Sequence, residues 1–386
     1  MKCTDTEVSW LSKKRMWLRL LFAFFMGGLL TLSGLLFALE HAMSGAVGAI
    51  DFIRALTLLK YKYVDTVDAD KLWQGSIRGM VEALDDQHSI YMDEEMFDVF
   101  ESATSGSFGG VGLTVGKKDD DLIVVAPIEG TPGEKAGVKS GDIIRKIDGE
   151  DTTNMNLTEA VDKIRGEEGT SVTLTILRGD SEKDYTIVRD NIKVHAVSGK
   201  MLEGDIGYLR ITTFNEEVGE DLKKEYDRLE KEGMKRIILD LRDNPGGLLD
   251  QSVKVAELFV AKGPVVSIVE RDGDRTTYES KSEGCPYPIA VLVNQGSASA
   301  SEIVAGAIQD TKSGTLIGTK TFGKGSVQGV FPFHSGAIKL TIAKYYTPNE
   351  AVIDGVGITP DIVVEANANS KRDNVLQTAI DHLKTK

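Results

Sequence analysis

The sequence predicts an α/β protein in several parts: a layered α/β core in its C-terminal half, a strand-rich module ahead of it, an N-terminal helical segment, and a single transmembrane helix near the start. Three observations carry that reading. From about Lys193 onward, apolar strand patterns such as "RIILDL" and "IAVLV" alternate with helix patterns such as "EDLKKEYDRLEKEG", as expected of strands buried on both faces between helices. Between Gly109 and Asp190 the texture is instead one of short β-branched runs broken by Gly, Asp and Pro, the pattern of a small strand-rich unit. The run Leu20 to Leu39, "LLFAFFMGGLLTLSGLLFAL", carries no charge and has about the ~20 residues a helix needs to cross a bilayer.

Taken in order, Lys13, Lys14, Arg15 and Arg19 precede the apolar run. The positive-inside bias then puts residues 1–19 in the cytoplasm, makes 20–39 the anchor, and places everything after Glu40 on the extracytoplasmic side of the cell membrane. A cleaved signal peptide is the competing reading, with "SGA" at Ser44 to Ala46 as the cleavage site, although its apolar core exceeds the usual ~7–15 residues. Both readings export the rest of the chain.

Residues 46–104 read as helical. Ile50, Ile53, Leu56, Leu59 and Tyr63 recur at helical spacing, as do Leu72, Ile77, Met80 and Leu84 behind a cap at Asp68 or Asp70. This pattern suits a small helical domain, or one whose spare apolar face packs on a second copy as a homodimer. "SGSFGG", Ser105 to Gly110, reads as a small-residue hinge into the module at 105–190. There, "GEKAGV" and "NLTEAVDKIRG" read as one short and one longer helix. The core follows at 191–386.

Composition narrows the function. At 386 residues the chain is too long for one ordinary core, and its 41% hydrophobic content is normal for a globular protein. A net charge of -14 argues against a nucleic-acid surface. Cys3 and Cys285 stand far apart, on either side of the apolar run, so neither a disulfide nor a metal pair is expected. His41, His88, His195, His334 and His382 lack the spacing of a metal site or of a nucleophile pairing, and "GGVG" and "FGKGS" lack P-loop spacing. No metal and no cofactor are therefore expected.

Several motifs carry chemistry. In the module, "GGVGLTV" (Gly109 to Val115) and "TPGEKAGVKSGDIIRKIDG" (Thr131 to Gly149) resemble a PDZ domain. The resemblance implies that Gly110, Val111, Gly112 and Leu113 receive a peptide C-terminus. A turn of small residues lets backbone N–H groups converge on the carboxylate while the peptide adds to the sheet edge. In the core, "LDLRDNPGG" (Leu239 to Gly247), "NQGSASASEIVAGAIQD" (Asn294 to Asp310), "GTKTFGKGSVQ" (Gly318 to Gln328) and "YYTPNEAVIDGVGITPDI" (Tyr345 to Ile362) resemble the carboxy-terminal processing peptidases, or tail-specific proteases. "LDDQHSIYM" (Leu84 to Met92) is similar to that family's "LDPHSxYL" stretch, with Asp86-Gln87 in the place of its proline.

That resemblance implies an α/β protease core with crotonase-like layers. It also implies Ser299 as nucleophile, Lys324 as general base and Gln328 as the residue that orients the lysine. The oxyanion hole would take one N–H from Ala300 or Ser299 and another from Gly246 or Gly247. The chemistry is sound on its own terms. A serine needs a base within hydrogen-bond reach, and a lysine serves once desolvation lowers its pKa; Phe322 and Val327 are the neighbours expected to supply the apolar surroundings. The plainer readings stand beside these. "SASE", Ser299 to Glu302, is a capping box for the helix that follows, although a helix N-terminus also favours an oxyanion. Most lysines are solvated, and the glycines equally suit a plain turn.

The expectation is thus a membrane-tethered serine endopeptidase that recognises protein or peptide substrates by free apolar C-termini. Arg165, at the end of a helix flanking the peptide groove, is the candidate for signalling an occupied groove to the core. A non-catalytic tethering protein and a crotonase-like acyl-transfer enzyme are the alternatives. The first is countered by the presence of both Ser299 and Lys324, and the second by the module and the Ser/Lys/Gln set.

Overall fold

The computed structural model describes residues 48–118, 121–367 and 372–386. It divides into two compact units, one ending at Met80 and one running from Val81 to Lys386.

The first unit holds helix α1 (48–62) and most of α2 (Ala69–Glu82). Asp68 is the cap: its Oδ1 accepts the Asp70 N–H at 2.9 Å. Most apolar residues of α1 are uncovered, with Ile50 and Ile53 more than half exposed and Leu56 partly covered.

The expectation of a single transmembrane helix, and with it a single-pass membrane location, is corrected here. No helix among the described residues is long and apolar enough to cross a membrane. The run 20–39 lies outside the described residues.

In the second unit, β1 (Ile90–Met92) leads into α3 (Glu94–Ser105), whose cap Asp93 accepts the Met96 N–H at 3.0 Å. The helix stops at Gly106, at φ 70°, where a Cβ would collide with the Asn215 side chain. The strand expected as a hinge, β2 (Ser107–Gly110), enters the strand-rich module. That module comprises β3 (Leu113–Lys118), β4 (Asp121–Pro127), α4 (Pro132–Lys135), β5 (Ile143–Ile147), β6 (Glu150–Asp151), α5 (Leu157–Ile164), β7 (Ser171–Arg178) and β8 (Ser181–Val188). Strand β9 (Asp190–Lys193) leaves the module and pairs antiparallel with β2, so entry and exit form one two-stranded neck. The module's sheet runs β3-β4-β5-β7-β8, which leaves β3 at one edge. Its core gathers Val111, Leu122, Val124, Ile144, Leu174 and Ile187.

The core begins with β10 (Val197–Met201), β11 (Ile206–Ile211), α6 (Val218–Lys231), β12 (Arg236–Asp240) and α7 (Leu249–Glu257). The hairpin β13 (Ala261–Glu270) and β14 (Arg275–Glu283) follows, then β15 (Ile289–Val293), α8 (Ala300–Asp310) and β16 (Thr315–Gly318). It closes with β17 (Ser326–Phe333), β18 (Gly336–Tyr346), β19 (Ile362–Val363) and α9 (Asn374–Lys384). The central sheet is ordered β10-β11-β12-β15-β16-β19 and is parallel from β11 onward.

Alternation along its strands serves two apolar layers, as the period of two requires. Ile237, Leu239, Val291 and Val293 join the cluster under α6, α7 and α8. Ile238, Ala290, Leu292 and Ile317 join the one under α9. The strands expected to be buried on both faces are so. A second, antiparallel sheet joins β13, β14, β17 and β18, and it recruits β1 from far upstream, with Tyr91 opposite Ile338.

Candidate active site

Three neighbouring parallel strands end at the same edge of the central sheet. β12 runs into the turn Asp243–Gly247, β15 into Asn294–Ser299, and β16 into Thr319–Gly325. The carboxyl ends of parallel strands are where α/β sheets place their ligands, and here they bring three of the four core motifs together.

Ser299 caps α8 with φ 54° and ψ -115°, a backbone setting that is uncommon for a residue with a side chain. Its N–H donates to Glu302 Oε2 at 2.9 Å, so the expected pairing of Ser299 with Glu302 across the first helical turn is formed. Glu302 does much more than cap. It is fully buried, and its other bonds reach across to the lysine loop: Thr321 Oγ1 donates to Oε1 at 2.6 Å, the Gly323 N–H to Oε1 at 2.8 Å, and the Lys324 N–H to Oε2 at 2.9 Å. Thr321 and Glu302 thereby tie the helix start to the "TFGKG" segment. The segment is held again by the Phe322 N–H on Ser297 O at 3.0 Å. Tyr345, on β18, sends its hydroxyl between two carbonyl oxygens, those of Ser299 (3.2 Å) and Lys324.

Lys324 is half-buried, and burial pushes its ammonium below the ordinary lysine range. The charge of Lys339 acts in the same direction, while Asp86 and Glu302 oppose it. Phe322 does not wall the lysine in as expected, for it is 60% exposed. No hydrogen bond among the described residues joins Ser299 Oγ to Lys324 Nζ. Gln328 does not reach the lysine either: its Nε2 donates to Ser326 Oγ at 2.9 Å and Thr341 Oγ1 at 3.2 Å.

The glycine turn is built around Asn244. This buried side chain donates to Ile211 O and accepts the Gly246 N–H, both at 2.9 Å. Gly246 therefore has no N–H to spare for an oxyanion. It instead lies flat against the Ser299 loop, where a Cβ would stand 2.8 Å from Ser299 Cβ. No acceptor among the described residues takes the N–H of Gly247 or of Ala300. Behind the turn, buried Asp240 is held by Arg242 at 2.6 Å and Tyr208 at 2.7 Å. Arg242 also pairs with Asp373 at the start of α9, which fastens the C-terminal helix to the base of the site.

A cavity of about 700 Å³ opens beside the lysine loop, lined by Phe322, Gly323, Ser326, Asp354 and the stretch Asp85–His88. The "LDDQHS" motif thus belongs to the site. Asp86 Oδ2 accepts from Ser89 Oγ at 2.6 Å, and Ser89 Oγ accepts the Thr341 N–H at 3.0 Å. His88 lines the cavity, whereas His195 pairs with Asp221 and His382 bonds Thr315. His41 lies outside the described residues. Glu302, Tyr345, Thr321 and Lys339 were not singled out in the sequence. Only Glu302 carried a signal there, the local cap.

In the module, Gly110 to Leu113 lead into the edge strand β3, with α5 packed alongside it. The Gly112 carbonyl accepts the Ile128 N–H at 2.9 Å, and the Val111 carbonyl accepts that of Gly133 at 2.7 Å. Gly112, at φ +73°, has no room for a side chain against Thr131. Arg165, the residue after α5, stacks its guanidinium over the Phe108 ring at 4.7 Å, on the neck of the module.

Known proteins match this arrangement. The family model described as peptidase family S41 matches residues 205–364, that of the PDZ domain residues 123–178, and that of the activating protease CtpB N-terminal domain residues 45–96. A carboxy-terminal-processing protease of Bartonella bacilliformis is 48% identical over 317 residues, covering 80% of this chain and 73% of the relative. The carboxy-terminal processing protease CtpA of Bacillus subtilis is 42% identical over 81% of this chain and 68% of its own length. A solved putative S41 protease from Bacteroides fragilis shares the fold, with a TM-score of 0.51 at 16% identity over 86% of this chain and 96% of its own. With a serine loop, a lysine loop and a glycine turn at one sheet edge and a PDZ module on a two-stranded neck, the chain belongs to peptidase family S41, as a PDZ-containing serine endopeptidase of the carboxy-terminal processing type.

Proposed function

We propose that the chain cleaves polypeptides that present a free apolar C-terminus, using Ser299 as nucleophile and Lys324 as general base. The observation that carries this is the shared anchoring of the two residues: Glu302 Oε2 accepts both their N–H groups, and the Tyr345 hydroxyl meets both their carbonyls. The substrate's tail docks on Gly110–Leu113 and extends along β3. Neutral Lys324 takes the Ser299 Oγ proton as Oγ attacks the scissile carbonyl carbon. The Gly247 and Ala300 N–H groups receive the developing oxyanion. The Lys324 ammonium then protonates the departing amine, and water, activated by the same lysine, hydrolyses the ester.

Gln328 fills its orienting role once it turns from Ser326 toward the lysine, and Arg165 leaves Phe108 when a tail is bound. Both movements make assembly of the site depend on substrate. Arg165→Ala with unchanged basal and tail-stimulated cleavage would remove Arg165 from this scheme. The exposed apolar residues of α1 support self-association through residues 46–104. Light scattering on the intact chain and on an Ile50→Glu, Ile53→Glu variant tests this, and a monomer in both cases rules it out.

The direct test of the chemistry compares wild type, Ser299→Ala and Lys324→Ala on an unfolded protein with an apolar C-terminus. Both variants are expected to lose cleavage. Equal rates in all three would overturn the pair.

A further inference from the structure

Tyr345 is buried, 2% exposed, yet its hydroxyl does not face apolar surroundings. It lies within hydrogen-bond reach of two main-chain carbonyls, and these belong to the two residues assigned above to the chemistry, Ser299 and Lys324. Its own N–H donates to the next carbonyl of the lysine loop, Gly325 O, at 2.9 Å. A phenol has one proton, so the hydroxyl shares it between the two carbonyls or alternates between them. Either way, each loop is kept within reach of the same oxygen. Glu302 performs the complementary task on the N–H side of both residues.

We propose that Tyr345 is a positioning residue that sets the separation of Ser299 and Lys324 by holding both main-chain carbonyls from one hydroxyl. The inference rests on the Ser299–Lys324 reading. Tyr345 has no part in bond making, since its hydroxyl meets backbone oxygens and neither reacting side chain. Burial keeps the phenol well above its ordinary pKa, and the charges of Glu302 and Asp354 push the same way, so it stays a donor throughout the working pH range.

Loss of the hydroxyl leaves two carbonyls without their common donor. The loops then relax, and a misplacement of about 1 Å costs on the order of 100-fold in rate. Lys324 also gains access to water, and burial is the leading cause of its low pKa. Facing it are Lys339 from β18, Asp86 from the α2–β1 loop and Glu302 from α8; none of these changes in the variant.

The test is Tyr345→Phe, with Tyr226→Phe as control. Tyr226, on α6, is another buried tyrosine, whose hydroxyl lies 3.6 Å from Cys285 Sγ and on neither the Ser299 nor the Lys324 carbonyl. Tyr345→Phe is expected to lower kcat about 10- to 100-fold, to leave KM within about 2-fold, and to move the acid limb of kcat/KM to higher pH. Tyr226→Phe is expected to lower the Tm only. If the two variants behave alike, with the acid limb unmoved, the proposal is overturned. If circular dichroism shows Tyr345→Phe unfolded, a 4-aminophenylalanine at 345 keeps the ring and offers an N–H to each of the two carbonyls. That variant should keep activity and the wild-type acid limb, and loss of activity in the folded variant overturns the proposal. Ser299→Ala and Lys324→Ala run in the same assay separate the two readings. If they are inactive while Tyr345→Phe keeps the wild-type profile, only the positioning role fails; if they are active, the catalytic pair itself fails.

Discussion

The main-chain N–H groups of Ser299 and Lys324 point at one atom: Oε2 of Glu302 accepts both, each at 2.9 Å. A single buried carboxylate therefore fixes where the Ser299 and Lys324 loops start. It also helps hold Ser299 at a positive φ that would otherwise cost about 1–3 kcal/mol.

Glu302→Gln tests this junction. The carboxylate accepts from Thr321, Gly323, Lys324 and Ser299. An amide turns an NH₂ toward two of those donors and loses the charge that strengthens the rest. Bonds to a buried charged group are worth about 1.5–3 kcal/mol each, so we expect about 3 kcal/mol less stability in urea unfolding and a kcat reduced about 100-fold. Wild-type kcat in the variant would show that Glu302 merely caps α8.

The pH dependence follows from the groups around Lys324. As the proposed base, Lys324 must be neutral to accept a proton, so activity is expected to rise as pH passes the lysine's pKa, which burial and Lys339 hold below the ordinary value. Lys339→Met removes a repelling charge, so Lys324 holds its proton to higher pH and the acid limb of kcat/KM moves up. Asp86→Asn removes an attracting charge, and the limb moves down. Pre-steady-state rates over pH 6–10 (about that span suffices) check both signs. Shifts in the same direction for the two variants would contradict this electrostatic account.

How far the sequence could lead is seen in particular residues. Strands such as Ile289–Val293, all buried, were readable because a run buried on both faces is apolar at every position. The meeting of the turns after β12, β15 and β16 follows from parallel neighbours ending at one edge. The sheet containing β13 and β18 was not readable. Its pairing of Tyr91 with Ile338 links distant parts of the chain, and its hairpins carry register shifts that blur the alternation. Glu302 looked like a local cap because three of its four bonds run to residues about twenty positions away, where no local pattern reports them. Phe322 looked like shielding for the lysine, but its backbone is fastened to Ser297 and its ring is left in solvent.

Lys324 should also carry a stability cost. Its folded pKa lies below the unfolded value near 10.5, so between those two values the unfolded chain binds more protons and stability rises with pH. Below the folded pKa the full cost is present, about 1.4 kcal/mol for each unit of depression. Lys324→Met should therefore raise the Tm at neutral pH, and the gain should shrink as pH approaches 10.5. A Tm gain that grew with pH would reverse the assignment.

Gly246→Ala probes the contact between the glycine turn and Ser299. Gly246 has φ +97°, and an added Cβ would lie 2.6 Å from Ala298 O, 2.8 Å from Ser299 Cβ and 2.9 Å from Ala300 N. Two of these neighbours are backbone atoms, which cannot swing aside. The serine loop and the turn must part, and the Ala300 N–H moves away from Gly247. The positive φ adds about 1 kcal/mol for a residue with a Cβ. The proposed oxyanion hole is expected to take the larger loss, since removing one donor typically costs about 100- to 1000-fold in kcat. Binding of a C-terminal peptide, proposed above to occur on Gly110–Leu113, should be unchanged. Isothermal titration with such a peptide, beside kcat on a full substrate, separates the two effects. Equal losses in peptide affinity and kcat would point to general unfolding and away from a displaced oxyanion hole.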